Sequence, residues 1–465
     1  MKKYSSYMLS HMKWNNTLPA HWNIQRLKLV LQERKENNFP IKTDNILSLT
    51  NTRGVIPYAE KGNIGNKSKE NIEGCHIAQI DDLVINSMNV VIGSAGVSKY
   101  FGAISPVYYA LYPRNGENIH YFEYIFKLST FEETLKELGN GILDIRKRIP
   151  MIKLNNVVLP VPPRKEQDQI VRFLDWKVSE INRLINIKKK EILLLKEKEK
   201  NLISEAVLHG LRKTNYKLSG NKWLGDIPDS WEIIKLGNFC TFQNGISESG
   251  DFFTAGTPFV SYGDVYRHLE LPKRVKGMAK SNEQQQRVFS VKKGDILFTR
   301  TSENIEEIGM AAVCKYTIEK AVFSGFIIRC RPKEDVVDTD YMKYYLQIPA
   351  IRNHFSSMMN IVIRASLSQN LLKQMPVVIP PMQEQKEIAT YLESQHAKHI
   401  YQIEILEKEI NVLNEYKTRL IFDTVTGQID IRDIDVPEYE FVGENSIPDF
   451  DGEEISEESA DEEVS

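Results

Sequence analysis

Cysteine is scarce in this 465-residue chain: Cys75, Cys240, Cys314 and Cys330 are scattered without C-x-x-C spacing. They fit reduced thiols in a cytoplasmic protein better than a disulfide framework or a zinc site. No run of 18 apolar residues occurs, and Met1 to Asn16 carries Lys2 and Lys3 without a continuous apolar core. Neither a membrane span nor a secretory signal is therefore expected. Catalytic signatures are missing too. The stretch Gly62-Asn63-Ile64-Gly65-Asn66-Lys67-Ser68 lacks the glycine directly before its lysine that a phosphate-cradling loop needs. No G-x-G-x-x-G follows a strand, and no Asn/Asp-Pro-Pro-aromatic tetrad of an amino-methyltransferase is present. Asp175-Trp176-Lys177 lacks the upstream carboxylate of a nuclease cluster. The nine histidines form no H-x-x-x-H pair, and Cys75-His76 stands alone. Such a chain is expected to bind rather than react, with no catalytic residue, metal or cofactor of its own.

Charge is plentiful but unevenly placed. From Asp433 to Ser465 there are fourteen Asp/Glu and no Lys/Arg, which leaves 60 basic against 48 acidic residues before that point. A body carrying +12 favours a polyanion, and nucleic acid is the commonest.

The chain also repeats itself. Trp14, Pro19, Trp22 and Leu27 correspond to Trp223, Pro228, Trp231 and Leu236 at a shift of 209, and only five tryptophans exist. Asp82-Leu83-Val84-Ile85 matches Asp295-Ile296-Leu297-Phe298 at 213. Pro162-Pro163-Arg164-Lys165-Glu166-Gln167 matches Pro380-Pro381-Met382-Gln383-Glu384-Gln385 at 218, and Gly210 and Gly427 close the copies at 217. Insertions are confined to the middle of each copy, so one scaffold carries two different variable regions.

In the first copy Ile46–Leu49, Leu83–Ile85 and Tyr108–Tyr112 read as strands, and Tyr121 to Leu138 as a helix. In the second, Ile296–Phe298 and Phe326–Ile328 read as strands and Tyr341 to Ile348 as a helix. After each Pro-Pro pair comes a heptad seam: Ile181, Ile185, Lys188, Ile192, Leu195, Glu199 and Leu202, then Ile403, Leu406, Ile410, Leu413, Lys417 and Leu420. A dimerisation helix is one reading. Two such helices in one chain favour pairing with each other, since intramolecular pairing costs less entropy. The fold expected is α+β: two similar mixed α/β globules separated by two long helices in an antiparallel coiled coil, with a pseudo-twofold internal repeat. Its divisions are 1–161 for the N-terminal segment and first globule, 162–210 for the first helix, 211–379 for a linker and the second globule, and 380–427 for the second helix. An acidic tail, 428–465, is expected to be disordered.

Phosphates attract Lys and Arg, whereas base edges need Arg, Asn, Gln, Ser or Thr held on a rigid support. In the first copy Asn86, Ser87 and Asn89 follow the Asp82 strand; in the second Thr299, Arg300, Thr301 and Ser302 follow the Asp295 strand. Further candidates are Arg53, Lys67, Lys69, Lys99 and Tyr100 in the first region, and Arg267, Lys273, Arg274, Lys276, Gln285 and Arg287 in the second. Arg146, Lys147 and Arg148, with Arg364 at the matching point, precede the last strand of each globule. Each has a plainer reading as solvated surface charge.

Three features resemble the specificity (S) subunits of type I restriction-modification enzymes: Trp223-Leu224-Gly225-Asp226-Ile227-Pro228-Asp229-Ser230-Trp231, Gly294-Asp295-Ile296-Leu297-Phe298-Thr299-Arg300, and the twice-used Pro-Pro-x-x-Glu-Gln helix opening. Copy one departs from the pattern, since Trp14 to Pro19 lacks the glycine and Asp81-Asp82 replaces Gly-Asp. The resemblance implies that each globule is a target recognition domain for one half of a split double-stranded DNA site, with paired helices fixing the gap. It implies two methyltransferase (M) subunits that use S-adenosylmethionine and two ATP- and Mg2+-dependent restriction (R) subunits, with no cofactor in this chain. A freestanding two-armed DNA-binding protein and a disguised nuclease are the rival readings.

Overall fold

A computed structural model describes residues 2–50, 53–61, 72–90, 93–139, 148–248, 250–302, 309–333, 336–358 and 365–443. The chain divides into two compact units, Met1–Glu191 with Leu406–Ser465, and Ile192–Ile405. Two long helices, Arg164–His209 and Met382–Val425, each contribute to both.

Unit 1 opens with a hairpin, β1 (Tyr7–Met12) and β2 (Asn15–Pro19), followed by β3 (Asn23–Arg26) and β4 (Leu31–Glu33). Its main sheet is antiparallel in the order β4, β7 (Tyr108–Pro113), β5 (Leu83–Asn86), β6 (Ala95–Val97). Leu83, Val84 and Ile85 are fully buried, as a short unbroken apolar run between turns should be. The helix expected over 121–138 is two helices, α1 (Ile119–Phe126) and α2 (Ser129–Lys136), broken where Leu128 turns extended. The break has a packing cause. Phe126 and Leu128 are both buried, yet on a continuous helix their side chains would point about 200° apart. β8 (Val158–Val161) then pairs with β3 and delivers the chain to the first Pro-Pro pair.

Unit 2 repeats this plan. A hairpin of β9 (Tyr216–Leu218) and β10 (Asp226–Pro228) leads to β11 (Glu232–Lys235). The sheet order β12 (Cys240–Asn244), β15 (Ile327–Pro332), β13 (Ile296–Thr299), β14 (Ala311–Val313) matches that of unit 1. β15 starts one residue later than expected, leaving Phe326 exposed. α3 (Thr339–Tyr345) corresponds to α1, and β16 (Pro376–Ile379) pairs with β11 as β8 does with β3.

The long helices run antiparallel within each unit, and their charged seam residues have partners. In unit 1 Lys188 pairs with Glu409, and Lys417 Nζ donates to Asn182 Oδ1 at 3.3 Å, among buried Ile181, Ile185 and Leu420. In unit 2 Glu199 meets His396 Nδ1 at 2.5 Å, while Ile203, Ala206 and Val207 share a core with Ile388 and Leu392. All four cysteines are buried.

One expectation is overturned. Residues 428–443 are not a disordered tail but an extended strap packed on the first long helix. Ile431 is fully buried, and Ile429, Ile434 and Val436 pack against the unit 1 core. Gln169 Nε2 donates to the Ile434 carbonyl at 2.6 Å, Ser179 Oγ donates to the Glu440 carbonyl at 2.9 Å, and Asn182 Nδ2 donates to the Val442 carbonyl at 3.0 Å. The apolar spacing inside an acidic sequence anchors it. The acidic residues from 444 onward lie outside the described residues.

Candidate nucleic-acid interface

The repeated residues build the frame on which any reading surface must sit. Asp82 accepts two bonds from Arg34, at 2.6 and 2.9 Å, and Asp295 two from Arg331, at 2.6 and 2.7 Å. Both carboxylates are buried, and the bond to Asp82 raises the Arg34 pKa above its ordinary value. Arg34 follows β4 whereas Arg331 lies on β15, so the same fork is supplied from different strands. Beside it Arg329 is 7% exposed; burial, then repulsion from Arg331, lowers its pKa to about 10.

The Glu-Gln pairs join globule to helix. Gln167 Oε1 accepts the backbone N–H of Asn118, the N-cap of α1, at 2.8 Å, and Gln385 Oε1 accepts that of Asp338, the N-cap of α3, at 2.7 Å. Glu166 accepts the Trp22 indole N–H at 3.0 Å, and Glu384 that of Trp231 at 2.9 Å. Gly427 and Gly210 end the long helices with φ of 69° and 78°. A Cβ on either would sit 3.0–3.1 Å from the same two indoles. Apart from the two glycines, which suit helix C-termini, these roles were visible in the sequence only as repetition.

On this frame the expected site residues divide. In unit 1 Arg53, Lys99 and Arg148 are exposed, and Asn86, Asn89 and Tyr100 are half-buried. Arg53 also donates to the Glu60 carbonyl at 2.8 Å, and Asn86 Oδ1 accepts the Met88 N–H at 3.1 Å. In unit 2 Arg267, Lys273, Arg274, Lys276 and Arg287 are exposed along one stretch of chain, while Arg300 and Thr301 are half-buried. Gln285 is used locally, closing the cap of a short helix with Asn282. Two candidates do not face solvent. Ser87, just past β5, and Thr299, the last residue of β13, are buried, with hydroxyls that have no partner among the described residues. As placed here neither can touch a base. Lys67, Lys69, Arg146, Lys147 and Arg364, and the Ser302 side chain, lie outside the described residues.

Aromatic surface was missed in the sequence. Tyr262 and Tyr266 stack at 5.9 Å on the helix that ends at Arg267, and Lys273 Nζ stands 5.2 Å from the Tyr316 ring centroid. Phe326, 61% exposed, adjoins Arg300, whose N–H donates to its carbonyl at 2.9 Å. In unit 1 Phe101 is exposed beside Lys99 and Tyr100. Basic residues interleaved with rings can hold phosphate and stack on or wedge against bases. Among the described residues no group of three His, Cys, Asp or Glu could hold a metal, and no helix is long and apolar enough to cross a membrane.

Comparison with known proteins finds relatives for this frame. Residues 228–415 match the type I restriction modification DNA specificity domain. The MjaVIII specificity subunit of Methanocaldococcus jannaschii is 22% identical over 68% of this chain and 71% of its own. The EcoKI specificity subunit of Escherichia coli is 26% identical over 54% and 53%. In structure, a chain from work on complex assembly and conformational transition of the type I R-M system aligns with a TM-score of 0.68 at 13% identity, covering 89% of this chain and 99% of that one. The HsdS subunit of Thermoanaerobacter tengcongensis aligns with a TM-score of 0.50, also at 13% identity, over 89% and 98%. With the duplicated scaffold and the matched Glu-Gln joints, the chain is thus similar to the specificity subunits of type I restriction-modification systems, in sequence over 228–415 and in fold over 89% of its length.

Proposed function

We propose that each unit reads one half of a bipartite, asymmetric double-stranded DNA site, and that the paired helices set the distance between the halves. The carrying observation is the same sheet order and the same joints in both units, bearing different exposed chemistry: Arg267, Lys273, Arg274, Lys276 and Arg287 in one, Arg53, Lys99 and Arg148 in the other. A symmetric frame with unlike surfaces suits an asymmetric target. The exposed cations hold phosphate and fix register, while Arg300, Thr301, Asn86 and Asn89 are the side chains assigned to base edges.

The chain contributes recognition and its partners contribute chemistry. Two methyltransferase subunits, binding S-adenosylmethionine, methylate adenine at the sites this chain selects. Two restriction subunits, using ATP and Mg2+, cut, and the complex works in the cytoplasm. Mapping methylated adenines genome-wide with and without this chain tests the reading. One bipartite motif should disappear when the chain is removed. If no motif changes while the purified chain still binds a split site, it is a freestanding DNA-binding protein instead.

A further inference from the structure

The two corners where the long helices begin are built from the same parts and filled differently. In unit 1 the buried Glu166 carboxylate receives the Tyr4 hydroxyl at 2.5 Å, His21 Nε2 at 2.8 Å and Trp22 Nε1 at 3.0 Å. The Tyr4 ring stands edge-on to Trp22 with centroids 6.0 Å apart, and the Arg432 guanidinium lies 5.0 Å from the Tyr4 ring centroid. That corner is closed by the chain's own phenol.

Strand register gives the correspondence in unit 2. Tyr7 faces Pro19 and Tyr216 faces Pro228, so at the same shift of 209 Tyr4 answers to Lys213 and His21 to Ser230. Both substitutes are exposed. Among the described residues, half-buried Glu384 keeps only the Trp231 indole as a side-chain donor. What remains is a cavity of about 190 Å3, lined by Gly210, Arg212, Lys213, Ser230, Trp231 and Glu384 among others. Trp231 borders it with 1% of its surface exposed, and Arg212, also in the lining, is held by Glu387 at 2.8 Å.

We propose that this cavity is a receptor for a tyrosine side chain carried by another polypeptide: the phenol donates to the half-buried Glu384, beside Trp231, as that of Tyr4 does to Glu166. The cationic rim, Arg212 and Lys213, selects a tyrosine with acidic neighbours. An open polar socket in one repeat and its built-in plug in the other give the chain one docking point for a tyrosine. The proposal concerns this corner alone and does not depend on how DNA is read.

The test uses the full chain labelled with 5-fluorotryptophan, whose five fluorine resonances report the five tryptophans. The resonance displaced by Ser230→His marks Trp231, and that displaced by His21→Ser marks Trp22. The probes are the capped tripeptides Glu-Tyr-Glu and Glu-Phe-Glu. Glu-Tyr-Glu should shift the Trp231 resonance saturably and leave that of Trp22 in place. Glu-Phe-Glu should bind about tenfold more weakly, for want of one hydrogen bond to a charged group. Glu384→Gln should weaken Glu-Tyr-Glu to a similar degree, and Lys213→Tyr with Ser230→His, which transplants the plug, should abolish the shift. A Trp231 resonance that stays still, that responds equally to the phenylalanine probe, or that moves only together with Trp22 overturns the proposal. No DNA enters the experiment, so its failure leaves the recognition reading untouched.

Discussion

Asp82 and Asp295 show how much of a repeated motif is framework. Each is a buried carboxylate whose oxygens are taken by an arginine fork, and breaking such a pair costs more than the pair contributes, since the guanidinium is left without a counter-charge. Asp295→Ala should lower stability by about 2–4 kcal/mol, discounted from the fully buried case because Arg331 is 27% exposed. Urea unfolding checks this, and an unchanged midpoint would contradict it. The exposed cations should behave in the opposite way. Lys276→Ala and Arg287→Ala should leave the fold intact and weaken binding to any duplex alike. Each should reduce the slope of log affinity against log salt by about 0.9 if it meets a phosphate. A slope that does not move would remove that residue from the interface. In the sequence Lys276 and Arg287 were candidates for DNA contact, while nothing marked Arg34 and Arg331 as partners of the repeated aspartates. Only the backbone shows that Arg34 and Arg331 are spent inside while Lys276 and Arg287 are not, because partner choice depends on strands far apart in the chain.

Elements were legible where periodicity carried them. Leu83–Ile85 and Ile296–Phe298 are strands because an unbroken apolar run fits a sheet buried on both faces, and the seam residues pair because their spacing permits nothing better. Two elements were hidden. The break between α1 and α2 follows from burying Phe126 and Leu128 together, which local propensity does not register. The strap was masked by its charge, for Asp433, Asp435, Glu438 and Glu440 are exposed while Ile429, Ile431 and Ile434 pack on the core and buried Asp430 is paired with Arg432. Ile431→Ala should therefore cost about 2–4 kcal/mol, as for other large-to-small core changes. A disordered tail would show none, and thermal unfolding decides. Gly210→Ala should cost about 1–2 kcal/mol, since the αL conformation penalises any Cβ and Trp231 crowds this one.

At the scale of the whole molecule, duplication was the clearest message of the sequence, and both units carry it in strand order, joints and helix ends. Which bases are read was not legible, because a side chain's meaning depends on the groove it enters and on how the DNA deforms. The spacing rule follows from the helices. Glu199 faces His396, so removing Ile192–Lys198 together with Ala397–Ile403 deletes one heptad from each strand of the pair and preserves the seam. At 1.5 Å per residue this shortens each helix by about 10 Å, roughly three base pairs of B-DNA. The gap in the methylated motif should contract accordingly, as sequencing of methylated sites would show. An unchanged gap would mean that the helices do not set it. The most direct test replaces residues Leu218 to Met375 with the corresponding region of a type I specificity subunit and reads the methylated motif. One half-site should change while the other half stays as it was; if both halves change together, the two units do not read DNA separately.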